Sequence, residues 1–119
     1  MFYTYIVASF RNGTLYTGHA DDLCRRAEEH RLSIFQGFAQ EHKCVYLVWY
    51  EEHETRDKAF KRERRIKKWE REWKLNMIEE MNPLWLDLGL CPIWPLPDKS
   101  TYPEIWDRAL ETALPRERL

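Results

Sequence analysis

Residues 2–18 read Phe2-Tyr3-Thr4-Tyr5-Ile6-Val7-Ala8-Ser9-Phe10-Arg11-Asn12-Gly13-Thr14-Leu15-Tyr16-Thr17-Gly18. Aromatic and β-branched residues dominate Phe2 to Ala8 and Thr14 to Gly18, and Asn12-Gly13 punctuates them. Two β-prone runs around Asn-Gly predict an antiparallel hairpin. Period-two alternation puts Tyr3 and Tyr5 on one face of the first strand, and Tyr16 with Gly18 on one face of the second. Gly18 stands at the predicted strand end, where a missing side chain admits a close neighbour.

Downstream, Asp21 or Asp22 occupies the N-cap position of a helix from Leu23 to about His30. Ser33 to Lys43, with Gly37, reads as a loop. Cys44-Val45-Tyr46-Leu47-Val48-Trp49-Tyr50 is almost continuously apolar and predicts a central, buried strand. Thr55 caps a second helix to about Lys68, and a further helix runs from Glu70 to Met81, where Asn82-Pro83 stops it. The order β-β-α-β-α-α predicts an α/β fold, a small, mostly antiparallel three-stranded sheet flanked by helices. Residues 1–82 form this domain and 83–119 a Trp- and Pro-containing C-terminal extension, with a helix from Glu104 to about Ala113. Trp85, Trp94 and Trp106 are too many large aromatics for water: they pack back on the domain or form a homodimer or protein-partner interface.

At 119 residues, with 44% hydrophobic and 33% charged residues, the chain is the size of one soluble domain. Cys24, Cys44 and Cys91 are too scattered for a zinc or disulfide framework, which predicts a cytoplasmic protein. The apolar start is cut short by Arg11, too soon for a signal peptide or membrane span. The net charge of −1 argues against a wholly basic nucleic-acid binder. That average conceals a pattern. Arg56 to Lys74 holds ten basic and four acidic residues, whereas Asn82 onward holds four basic and six acidic. On its own the basic run reads as a solvated helix face with Glu70 and Glu72 in local ion pairs.

Some polar residues point inward. Arg26 and His30 fall within about 60° of Leu23 on the first helix, either lining a cleft or extending their stems past the core edge. Glu63 sits inside the apolar sector of Ala59, Phe60 and Ile66. A buried carboxylate needs a partner, and a pair with Arg26 and a metal ion both satisfy it.

Tyr3-Thr4-Tyr5, the eleven-residue step from Tyr5 to Tyr16, Tyr16-Thr17-Gly18, Asp22-Leu23 and Arg26 together resemble the GIY-YIG nuclease superfamily. Glu51-Glu52-His53 and Ala59-Phe60-Lys61-Arg62-Glu63-Arg64-Arg65-Ile66-Lys67-Lys68-Trp69 look like its short, single-domain bacterial branch. The resemblance spans roughly Met1 to Asn82. It implies a divalent-metal-dependent endonuclease that hydrolyses DNA phosphodiester bonds, with catalytic residues Tyr5, Tyr16, Arg26, His30 and Glu63. The first motif lacks its glycine and isoleucine, and Thr17 replaces the commoner isoleucine or valine. Some members place an asparagine beyond the glutamate, for which Asn76 and Asn82 are candidates of unmatched spacing.

The implied chemistry suits these side chains. Glu63 is a ligand for Mg²⁺ or Mn²⁺, which need only one or two protein carboxylates. Arg26 offers a bidentate contact to the scissile phosphate. A free phenol titrates near 10, so Tyr16 as general base relies on Arg26, the metal and the basic helix; alternatively Tyr16 orients the water and His30 carries the proton. Lys43, Arg62, Arg65, Lys67 and Lys68 are the expected nucleic-acid contacts, to branched or single-stranded DNA. A catalytically weak or inactive nucleic-acid-binding module is the alternative, and a coincidental motif in an interaction protein predicts no pocket joining the motif residues.

Overall fold

The computed structural model describes residues 1–33, 37–91 and 93–116. Three antiparallel strands, β1 (Phe2–Ala8), β2 (Leu15–Ala20) and β3 (Tyr46–His53), form a sheet of order β2-β1-β3. The hairpin turns through Phe10 to Gly13, where the Gly13 amide donates to the Phe10 carbonyl at 2.9 Å and Asn12 takes a φ of 60°. Asparagine tolerates that left-handed conformation better than most residues.

Helix α1 (Leu23–Arg31) starts where Asp22 accepts a hydrogen bond from the Arg25 amide, and α3 (Arg56–Lys67) where Thr55 accepts one from Lys58. Each cap satisfies a backbone donor that has no partner inside the helix. Helix α4 (Arg71–Met81) ends before Asn82-Pro83, and α5 (Pro103–Leu110) lies in the C-terminal extension. The predicted Ser33–Lys43 loop contains α2 (Phe38–Glu41), a helix too short to show a periodic pattern; Ile34, Phe35 and Gln36 lie outside the described residues.

Core forms on both faces of the sheet, giving a layered α/β arrangement. Tyr5, Val7, Ala20 and Leu47 pack with Ala27 of α1 and with Leu86, Leu88 and Ala109 on one face. Ile6, Ala8 and Val48 pack with Ile66 of α3, Ile78 of α4, Trp85 and Leu114 on the other. Core packing therefore crosses residue 82. Trp85 is fully buried, whereas Trp94 and Trp106 are half-buried.

Two expectations are corrected. β1, not β3, is the central strand. The apolar run of β3 reflects cover on both faces, and its outer edge is met by the extension: the Leu88 amide donates to the Leu47 carbonyl at 2.8 Å and the Leu47 amide to Asp87 Oδ1 at 3.3 Å. Phe60, placed in the inward sector of α3 with Ala59 and Ile66, is 39% exposed, because it sits at the border of that sector, while Ala59 and Ile66 are buried.

Candidate functional site

The sheet register places Gly18 opposite Tyr5, in the interior of β2 and not at its end. A Cβ on Gly18 would fall 2.5 Å from the Tyr5 hydroxyl and 2.7 Å from its Cζ. The glycine makes room for the Tyr5 ring, whose hydroxyl lies 2.9 Å from His30 Nε2. The His30 ring packs against both Tyr5 and Tyr16, with centroids 5.5 and 5.8 Å away. One turn earlier on α1, the Arg26 guanidinium lies near the Tyr5 hydroxyl and comes within 4.0 Å of Glu29. Tyr5, Tyr16, Arg26 and His30 are thus one group of touching side chains on the α1 face.

Burial shapes this group's protonation. It raises the Tyr5 pKa well above that of a free phenol, reinforced by the nearby Tyr16 hydroxyl and opposed by the Arg26 guanidinium. It pushes His30 down to about 4, and Arg26 adds to the effect. At neutral pH both therefore remain uncharged. In the Nδ1–H tautomer of His30, Tyr5 donates to Nε2.

Glu63 lies across the β2 edge from this group. Its expected partner was Arg26 or a metal; in the fold Oε1 faces His19 Nδ1 at 3.0 Å and Oε2 faces Lys67 Nζ at 3.4 Å. Arg26 is on the opposite face of the sheet, which is why helical periodicity, giving only an inward direction, does not identify the partner. Lys67 joins the two halves of the site: its ammonium reaches round β2 to lie 5.5 Å from the Tyr16 ring centroid. Tyr5 also feels the Glu63 charge. The motif tyrosines, Arg26, His30 and Glu63 are consequently brought around one strand edge.

His19 is the residue that sequence reasoning missed. It directly follows Tyr16-Thr17-Gly18, and alternation puts it on the α3 face of β2, beside Glu63; its ring also packs on Phe60 at 5.3 Å.

The basic residues divide. Arg62 donates to Glu51 at 3.0 Å and covers the Trp69 ring at 5.3 Å, so its guanidinium is held within the protein and not offered to a ligand. Lys43 is exposed beside Ser9, Tyr46 and Pro115, apart from the cluster. Lys67 and Lys68 line an open 360 Å³ depression with Phe60, Glu63 and Arg64, while Arg65 is exposed outside it. Glu70 and Glu72, expected to pair locally, form no ion pair among the described residues. Neither asparagine belongs to the cluster. Asn76 is exposed on α4; Asn82 is fully buried, donating to the Val48 and Leu86 carbonyls and accepting from the Leu86 amide.

Among the described residues no group of three or more His, Cys, Asp or Glu converges as a metal cage. A Mg²⁺ site does not need one, since that ion retains several waters and takes one or two carboxylates. Glu63 fits this requirement: it borders the open depression, and Oε2 is held only by a flexible lysine.

Residues 1–76 match the family model of the GIY-YIG catalytic domain. UPF0213 proteins from Staphylococcus aureus strains Mu3, Mu50 and N315 are 38% identical over 78 residues, which cover 66% of this chain and 94% of each relative. No solved structure matches. No helix among the described residues is long and apolar enough to cross a membrane. With the domain model covering most of its length and Tyr5, Tyr16, Arg26 and Glu63 standing around one strand edge, the chain belongs to the GIY-YIG nuclease superfamily.

Proposed function

We propose that this protein is a cytoplasmic, divalent-metal-dependent endonuclease that hydrolyses phosphodiester bonds of DNA. The observation that carries this reading is the junction at β2, where Lys67 links the Tyr5–Tyr16–Arg26–His30 group to Glu63.

Arg26 binds the scissile phosphate and stabilises the charge that grows on its oxygens, a role suited to a planar guanidinium. Glu63 would hold Mg²⁺ or Mn²⁺, through a carboxylate whose Oε2 now faces only the Lys67 ammonium. When bound, the cation supplies positive charge to the phosphoryl oxygens and to the departing alkoxide. His30, with a pKa near 4, is a weak base at neutral pH. The raised pKa of Tyr5 keeps it a neutral hydroxyl that braces His30. Tyr16 is then the group left to orient the attacking water or take its proton.

Incubation of the protein with supercoiled DNA and Mg²⁺ or Mn²⁺ tests this directly. Nicking is expected, with Arg26→Ala and Glu63→Gln each losing on the order of 10²-fold or more, as for removal of a group that stabilises transition-state charge. Activity unchanged by both substitutions assigns the nicking to a contaminant. A second reading, a nucleic-acid-binding member without catalysis, draws on the engagement of both Glu63 oxygens by His19 and Lys67. It predicts binding to DNA with no cleavage at any metal concentration.

A further inference from the structure

Two depressions flank Tyr16, and each pairs an exposed phenylalanine with cations. On one side is the groove of Phe60, Glu63, Arg64, Lys67 and Lys68. On the other is a 480 Å³ depression lined by Phe10, Phe38, Arg71 and Lys74 together with the hairpin turn. They are connected through the site itself. Phe38 stacks on Tyr16 with centroids 6.4 Å apart and planes at 26°, and Tyr16 is in turn approached by Lys67 of the first groove. Phe38 is 49% exposed and Phe60 39%. Arg64 lies 5.6 Å over the Phe60 ring.

The cations between Arg56 and Lys74 divide into paired and unpaired, with Lys67 in the strip paired to Glu63 and Arg65 outside it unpaired among the described residues. Arg56, Lys58, Lys61 and Arg62 pair with Asp21, Glu54, Asp57 and Glu51. Arg64, Lys68 and Lys74 have no carboxylate within ion-pair distance among the described residues. Arg71 is fixed by donating to the Asn12 and Gly13 carbonyls, and so anchors the turn against α4. Burial and the neighbouring Arg71 and Lys67 lower the Lys74 pKa, the behaviour of a cation crowded by like charge. Uncompensated cations call for an anion; Phe38, which meets the Tyr16 ring and also the His42 ring at 4.2 Å, and Phe60, which meets His19 and Arg64, each keep part of the ring exposed to a flat, apolar group. In a duplex the base faces are stacked inside and unavailable to such rings; in a single strand each base presents one.

We propose that this strip is a track for single-stranded nucleic acid: one base stacks on Phe38 and another on Phe60, while Lys74, Arg64 and Lys68 meet the flanking phosphates, so that the phosphate between the bases lies at Tyr16 and Arg26. The proposal rests on the nuclease reading for its orientation and extends it to substrate class. It implies that cleavage is directed to single-stranded segments, such as the unpaired arm of a branched DNA.

The test is fluorescence anisotropy of the full chain in EDTA, with a labelled 12-nucleotide single strand and the matched duplex. Binding to the single strand at least tenfold tighter than to the duplex is expected. Phe38→Ala should weaken single-strand binding about tenfold, the effect of losing one stacked base, and leave duplex binding within about twofold. Phe38→Trp should restore it. Lys74→Gln should reduce the slope of log K against log salt by about 0.7. Thermal melting of each variant separates loss of stacking from loss of fold. Equal or tighter duplex binding, or a folded Phe38→Ala protein with unaltered single-strand affinity, overturns the track. Single-strand binding that depends on Phe38 without cleavage in Mg²⁺ or Mn²⁺ would retain the track and remove the nuclease reading. Nicking that depends on Arg26 but not on Phe38 does the reverse.

Discussion

The two edges of the sheet both bury polar side chains, but they use them differently. At the β3 edge, Asn82 satisfies both ends of its amide with backbone groups, and the Leu47 and Leu88 backbones bond to the returning chain. Asp87 Oδ2 and Trp85 Nε1 there have no hydrogen-bond partner among the described residues, but both residues are buried inside the protein. At the β2 edge, Tyr5 and His30 are equally buried, yet the group they form opens through Tyr16, Arg26 and Glu63 onto grooves with exposed rings and uncompensated cations. Burial of polar residues is common to both regions; what distinguishes a candidate site is that its partners reach solvent. The extension beyond residue 82 is what closes the β3 edge, so its effect on a ligand at β2 is indirect.

The sharpest break of this comparison is Trp85→Ala. Trp85 is fully buried beneath the β3 side, and truncating such a side chain costs about 3–5 kcal/mol. Urea denaturation should show that loss, and single-strand affinity measured well below the new midpoint should not change. Gly18→Ala attacks the other edge. Tyr5 is too enclosed to yield easily to a Cβ 2.5 Å from its hydroxyl, so about 1–3 kcal/mol of overpacking strain is expected by the same measurement, together with a fall in nicking as Tyr5 displaces His30.

Acid should reach the β2 edge through His30. Its unfolded pKa is near 6.5 and its folded value about 4. Between these values the unfolded chain binds a proton that the folded one refuses, so this residue makes stability fall as the pH drops from about 6.5 towards 4 and adds little change below that. His30→Gln should flatten this limb of the stability profile. A profile identical to wild type would place the acid sensitivity elsewhere. The smallest effect belongs to the outer face of α3. Lys61→Ala removes an exposed pair with Asp57, worth under about 0.5 kcal/mol, and should leave single-strand binding unchanged because Lys61 lies outside the strip. A loss comparable with that of Lys74→Gln would show that charge acts there without regard to position.

Local chemistry made much of the fold legible. Asn12-Gly13 marked the hairpin, Asp22 and Thr55 marked helix starts, and Asn82-Pro83 marked a helix end, because each acts on backbone groups within a few residues. The short α2 was missed because four residues show no helical period. Arg62 looked like a surface cation, but its partner Glu51 lies on β3 and its aromatic cover, Trp69, follows α3. Phe60 looked buried because its neighbours were.

By itself, the sequence determined the spacing of Tyr5, Tyr16, Arg26 and Glu63, the inward aim of Arg26, His30 and Glu63, and the concentration of positive charge between Arg56 and Lys74. Those properties follow from residue identity and from the periods of strand and helix. Only the tertiary structure decided that β1 is central, that Glu63 faces His19 and Lys67, that half of the cations between Arg56 and Lys74 are already ion-paired, and that Phe38 meets Tyr16. Each is a meeting of segments distant in the chain, fixed by how the sheet pairs and which faces the helices cover, and no local pattern encodes it.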